Sequence, residues 1–132
     1  MATFNSFTEI NAWQKARELS SVIFSLSTQG TFARDFALRD QINRSTGSVM
    51  DNIAEGFERG RKNEFVNFLT YSKGSAGETL SQLYRALDCH YITELQFNRL
   101  KADTDEICRM LNGLIVYLNR TSIAGFKFKG RK

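Results

Sequence analysis

From Phe97 to Leu118 the chain places Phe97, Leu100, Thr104, Ile107, Leu111, Leu114 and Leu118 at alternating steps of three and four. That spacing returns side chains to one flank of an α-helix, and the repeat is the pattern of left-handed helix packing in bundles. A seven-residue rhythm also runs through Phe65, Leu69, Ser72, Ala76, Thr79, Leu83, Ala86 and His90, widened by Phe68, Leu80 and Leu87. Two earlier stripes, Trp13-Ala16-Leu19-Ser20-Ile23-Leu26 and Leu38-Ile42-Ser45-Val49-Ile53-Gly56, have helical spacing too. None of the 132 residues is proline, the residue most disruptive of a helix interior.

The breaks between these stripes are short. The first helix is expected from about Thr8 to Thr28, ended by Gln29-Gly30-Thr31, where Gly30 suits a left-handed cap. Asp35 is a candidate N-cap for the second, which stops around Arg59-Gly60-Arg61. The third starts near Asn63, and the fourth opens at Thr93 with Gln96 three residues on, a capping-box pattern. The expectation is an all-α, antiparallel up-down-up-down four-helix bundle over residues 1–120, followed by a basic C-terminal tail, 121–132. Only Phe126-Lys127-Phe128-Lys129 alternates like a strand, over too few residues to count.

A mass of 15.1 kDa with 42% hydrophobic residues suits one domain with one core. The longest uncharged apolar stretch, Gly113 to Leu118, is about a third of the roughly 20 residues a membrane helix needs. Met1 to Ile10 lacks the basic start and apolar segment of a signal peptide. Cys89 and Cys108, with no CxxC spacing, read as free thiols of a reducing cytoplasm. The net charge of +4 is uneven: Arg120, Lys127, Lys129, Arg131 and Lys132 face no acid in residues 120–132, and Arg59, Arg61, Lys62 and Lys73 form a second excess. Asp88 to Glu106 is acidic instead. Such polarity attracts nucleic acid or pairs copies of the chain, and charge alone does not choose.

Gly47, Gly56, Gly74 and Gly77, with Ser45, Ser48, Ser72, Ser75 and Ala76, make the second and third helices rich in small residues. The structural reading is close approach of two backbones, which offsets the cost of helical glycine, about 1 kcal/mol each. The functional reading is room for a ligand or another chain. The second helix carries a polar row, Gln41, Arg44, Ser48, Asn52, Glu55 and Arg59, and the third offers Lys73, Glu78, Gln82 and Arg85. Arg44 with Glu55 or Glu78 suits a charge-assisted bond between helices or across a subunit interface; a solvated face is the plainer alternative.

Asn52-Ile53-Ala54-Glu55-Gly56-Phe57, then Phe65-Val66-Asn67-Phe68-Leu69 and Lys73-Gly74-Ser75, resemble the four-helix-bundle proteins encoded by intervening sequences of bacterial large-subunit ribosomal RNA genes. Trp13-Gln14-Lys15-Ala16 and Met110-Leu111-Asn112-Gly113-Leu114-Ile115 fit the same pattern, so the resemblance spans about residues 10 to 120. It implies a bundle without known catalysis, assembled as a ring, commonly a homopentamer. Relatives include the accessory variability determinant of diversity-generating retroelements, a basic ring that binds a reverse transcriptase and RNA. The matching positions are Arg44, Asn52, Glu55, Gly56, Gly74, Ser75 and Glu78, expected at helix or subunit interfaces. Relatives often carry proline before the second helix and ahead of the asparagine, where this chain reads Thr31-Phe32-Ala33-Arg34-Asp35 and Ser48-Val49-Met50-Asp51.

A single histidine, His90, excludes a di-iron site built on two Glu-x-x-His motifs and weakens a zinc site. On the core seam it reads as structural. Arg85 and His90 have the spacing of some all-helical ribonucleases, with His90 as base on a ribose 2′-hydroxyl and Arg85 steadying the phosphate. With eleven arginines there is roughly a one-in-four chance of such a spacing, so it has little motif value, and Ala86 replaces the polar residue of those enzymes. No catalytic residue, metal ligand or cofactor is assigned. The expected nucleic-acid contacts are Arg59, Arg61, Lys62, Lys73, Arg120, Lys127, Lys129, Arg131 and Lys132, with Phe126 and Phe128 placed to stack on unpaired bases. The expected function is a cytoplasmic, non-enzymatic homo-oligomer that binds RNA, other nucleic acid or an RNA-handling partner. The alternative is a structural oligomer or protein-binding adaptor.

Overall fold

The computed structural model describes residues 4–121. Four helices, α1 (Asn11–Ser27), α2 (Phe36–Arg59), α3 (Lys62–Asp88) and α4 (Glu94–Arg120), are joined by short links, with 3-10 turns at Phe7–Glu9 and Phe32–Arg34. No strand occurs among the described residues. Each helix touches the next, and α1 closes on α4. Contacts run in opposite senses along each neighbouring pair. Gln41, Ser45 and Ser48 of α2 bond Arg85, Gln82 and Ser75 of α3 in that descending order. Asn43 reaches Ser27 while Phe57 meets Phe4, and Tyr84 meets Phe97 while Lys62 meets Thr121. The fold is therefore an antiparallel four-helix bundle.

The stripes read from the sequence form the core. Leu38, Ile42, Val49, Ile53, Phe65, Leu69, Leu83, Ile107 and Leu111 are all essentially inaccessible. Burying side chains of this size stabilises the fold by about 1.5–3 kcal/mol each. Ser20, Leu26 and Leu114, assigned to the same seams, are only half-buried.

Helix ends follow local chemistry. Asp35 accepts a hydrogen bond from the Leu38 N–H, and Thr93 with Gln96 forms the full capping box. The α2–α3 link is Gly60-Arg61, with Gly60 at φ 77° in the left-handed region glycine tolerates. The first helix begins later than Thr8: the Ser6 side chain accepts from the Thr8 N–H and starts a 3-10 turn, and extended Ile10 separates that turn from α1.

His90 is the larger correction. It does not lie on the buried seam of α3, which ends at Asp88; it is exposed, in the left-handed conformation at φ 61°. Its N–H donates to the Leu87 carbonyl and the Tyr91 N–H donates to Ala86. That pair of bonds is the Schellman closure, and it needs a left-handed residue where glycine is usual. Phe32 stacks on Tyr91 at 5.1 Å, and the Tyr91 hydroxyl donates to Asp35 at 2.9 Å, which fastens this end of the bundle.

Candidate functional site

The Arg59–Lys62 turn and the end of α4 meet at one end of the molecule. Lys62 donates from Nζ to the Thr121 carbonyl at 2.8 Å, covering the C-terminal, electronegative end of α4. Arg61 and Arg120 are exposed beside this contact. Arg59 is more engaged: it pairs with Glu55 at 3.0 Å and Glu64 at 3.6 Å, and its guanidinium lies 5.0 Å from the centre of the Phe68 ring. The hydrogen bond to Glu55 is the main cause that raises its pKa. Lys73 does not join this group. It is half-buried well up α3, where its charge acts on Cys108 of α4. Lys127, Lys129, Arg131 and Lys132, with Phe126 and Phe128, lie outside the described residues.

The α2/α3 seam is polar and hydrogen-bonded. Ser45 Oγ donates to Gln82 Oε1 at 2.6 Å and lies 2.9 Å from Thr79 Oγ1, and Ser72 donates to the Val49 carbonyl. Asn52 donates to the carbonyl and hydroxyl of Ser48, which accepts from Ser75 at 2.9 Å. Ser75 thus ties α3 to α2 at Ser48, while the Asn52 bonds stay within α2. Arg44 bonds neither Glu55 nor Glu78: Glu55 is taken by Arg59, and Arg44 and Glu78 line an open cleft of about 550 Å³ with Gln41, Ser48 and Gln82.

The glycines divide. A Cβ on Gly56 would lie 2.6 Å from the Phe68 Cβ, so glycine there permits the close approach of α2 and α3. At Gly47, Gly74 and Gly77 no heavy atom of the described residues, outside the helix's own backbone and chain neighbours, lies within 4 Å of that position. The close-packing reading therefore holds for Gly56 and fails for the other three, whose helix faces are open.

The α1/α4 seam carries a groove of about 320 Å³ that sequence reasoning missed. Leu19, Val22, Leu26 and Leu100 form its apolar floor, and Lys15, Glu18, Arg99 and Asp103 its rim. Lys15 bridges to Asp103 at 3.4 Å and Glu106 at 3.1 Å, which raises its pKa. The outward position of Val22, next to buried Ile23, was the available sign.

No enzyme-like constellation assembles around Arg85 and His90. Arg85 turns to α2 and donates to Gln41 Oε1 at 2.9 Å, while His90 sits beyond the helix in solvent. Cys89 and Cys108 are free, and burial raises the Cys108 pKa. Among the described residues no group of three or more His, Cys, Asp or Glu is placed to hold a metal ion, and no helix is long and apolar enough to cross a membrane.

The bundle is similar to the crystal structure of a protein of unknown function from the S23 ribosomal protein family of Bacteroides thetaiotaomicron. The two share 26% identity and a TM-score of 0.73 over 80% of this chain and 95% of the other. No curated protein sequence matches. Residues 8–113 match the 23S rRNA-intervening sequence protein family. That match covers the whole of the α2/α3 seam and most of α4, and the chain belongs to this family.

Proposed function

We propose that this protein is a non-enzymatic homo-oligomer, a ring and by family resemblance a pentamer, that binds structured RNA or an RNA-handling partner such as a reverse transcriptase. The observation that carries this reading is the Lys62–Thr121 contact. It joins two basic segments far apart in sequence, so Arg61, Lys62 and Arg120 share one end. In a ring whose copies point the same way, that end repeats around one rim. Repeating a modest cationic patch raises avidity without any new type of contact. With no sequence-reading module, binding is mainly to phosphates and weakens steeply with salt.

The test is light scattering coupled to size exclusion, with and without a structured RNA, at low and high salt. The expected result is a particle near five times 15.1 kDa that takes up RNA at low salt and releases it at high salt. Replacing Arg61, Arg120 and the tail cations by glutamine removes the uptake and leaves the particle intact. A ring indifferent to RNA at every salt concentration overturns the nucleic-acid part. It leaves the second reading, a structural oligomer or protein-binding adaptor, which is favoured by the two carboxylates that already occupy Arg59.

A further inference from the structure

In the cyclic order α1, α2, α3, α4, the α2/α3 face and the α1/α4 face lie on opposite sides of the bundle. Each bears one cation and one anion, on different helices. Arg44 of α2 and Glu78 of α3 line the cleft on the first face; Glu18 of α1 and Arg99 of α4 line the groove on the second. All four are exposed, and none has an ion-pair partner among the described residues.

We infer that the α1/α4 groove of one copy receives the α2/α3 face of the next, a head-to-tail contact in which Arg44 meets Glu18 and Glu78 meets Arg99. This rests on the ring proposed above. When a copy is displaced along the line joining its two faces, its long axis kept parallel, α1 of the second copy comes against α2 of the first, and α4 against α3. Opposite charges then face each other at both pairs. Turning the second copy end for end sets Arg44 against Arg99 and Glu78 against Glu18, like against like, so the charges reject that orientation.

The heights along the bundle axis set how neighbouring copies lie. Counted up the helices from the Lys62–Thr121 contact at about 1.5 Å per residue, Glu78 stands about 24 Å up α3 and Arg99 about 33 Å up α4. Glu18, nine residues below the Ser27 that meets Asn43, stands lower than Arg44 while Arg99 stands higher than Glu78, so the two pairs meet where neighbouring copies tilt against each other. The open faces at Gly74 and Gly77 admit the apolar edge of the groove, where Val22 is 48% exposed. A contact between opposite faces leaves a free face on each added copy until the rotation closes a ring. Pairing like faces about parallel twofold axes also matches charges, but it produces an open row.

Charge reversals decide between these arrangements. Glu18→Arg and Arg44→Glu, each shown to be helical by far-UV circular dichroism, are expected to fall to the 15.1 kDa protomer at concentrations where the parent is a ring. Their half-assembly concentration rises about tenfold or more. The double variant, with Glu18→Arg and Arg44→Glu in one chain, restores the ring. Mixing the two single variants restores assemblies larger than a dimer, with the two chains alternating, because the reversed face of one is complementary to the reversed face of the other. Single variants that keep the ring mass, or that dimerise alone, or a double variant that stays a protomer, overturn this pairing of faces and leave the ring standing. A parent chain that is itself a protomer overturns the ring and this inference together.

Discussion

The α2/α3 and α1/α4 seams are built from different chemistry. The first is closed by hydroxyls and amides with a glycine at its tightest point; the second is apolar, gapped and tied by one lysine between two acids. Hydrogen bonds inside a core need defined partners, so the α2/α3 seam fixes which residue of one helix meets which of the other. Apolar contacts are less particular. The bundle thus takes its register from one seam and leaves room at the other.

The sharpest way to break this contrast is at glycine. Gly56→Ala forces a methyl against the Phe68 Cβ and is expected to cost about 1–3 kcal/mol, read as a lower denaturant midpoint. Ser45→Ala removes the hydroxyl that Gln82 and Thr79 share, and is expected to cost about 1–3 kcal/mol. Its neighbour behaves oppositely. Thr46 is fully buried and its hydroxyl has no hydrogen-bond partner among the described residues, so Thr46→Val is expected to raise stability by about 1 kcal/mol in the same measurement. Gly74→Ala, where no atom lies nearby, gains about 0.5–1 kcal/mol from helix propensity. If Gly74→Ala destabilises the protomer as Gly56→Ala does, the division of the glycines is wrong.

The smallest effect concerns the end that neither seam controls. Asp35 has a lowered pKa, first from the Leu38 N–H and then from the Tyr91 hydroxyl. A carboxylate with a depressed pKa contributes stability above its unfolded value, about 3.9, and that contribution is lost as pH falls through the lower folded value. Asp35→Asn is expected to flatten the stability profile below about pH 4 while keeping the cap. Unfolding curves across that range check it.

Helix positions were legible because burial recurs every turn, so Leu38 to Ile53 and Phe97 to Leu111 announce their faces without tertiary information. His90 was misread because the seven-residue beat runs one step past the point where the Ala86 and Leu87 carbonyls are capped. A periodic count cannot see a left-handed residue. Gly56 and Gly74 look alike in sequence, and they differ only because Phe68 packs against one of them. Arg44, Asn52, Glu55 and Glu78 look like one bonded set in sequence, yet Asn52 reaches Ser48 and Glu55 accepts from Arg59, each one turn along α2, which helical spacing alone allows as readily as a bond between helices. The α1/α4 groove left the faintest trace, since Val22 and Leu26 read as ordinary helix residues.

The contact between Lys62 and Thr121 also sets a competition. The ammonium group serves as a lid on the last exposed carbonyls of α4, and the same group is among the cations offered to phosphate. An anion that draws Lys62 away uncovers the end of α4 and invites it to fray, so occupancy at this rim is transmitted into the final turn, directly ahead of the basic segment that follows.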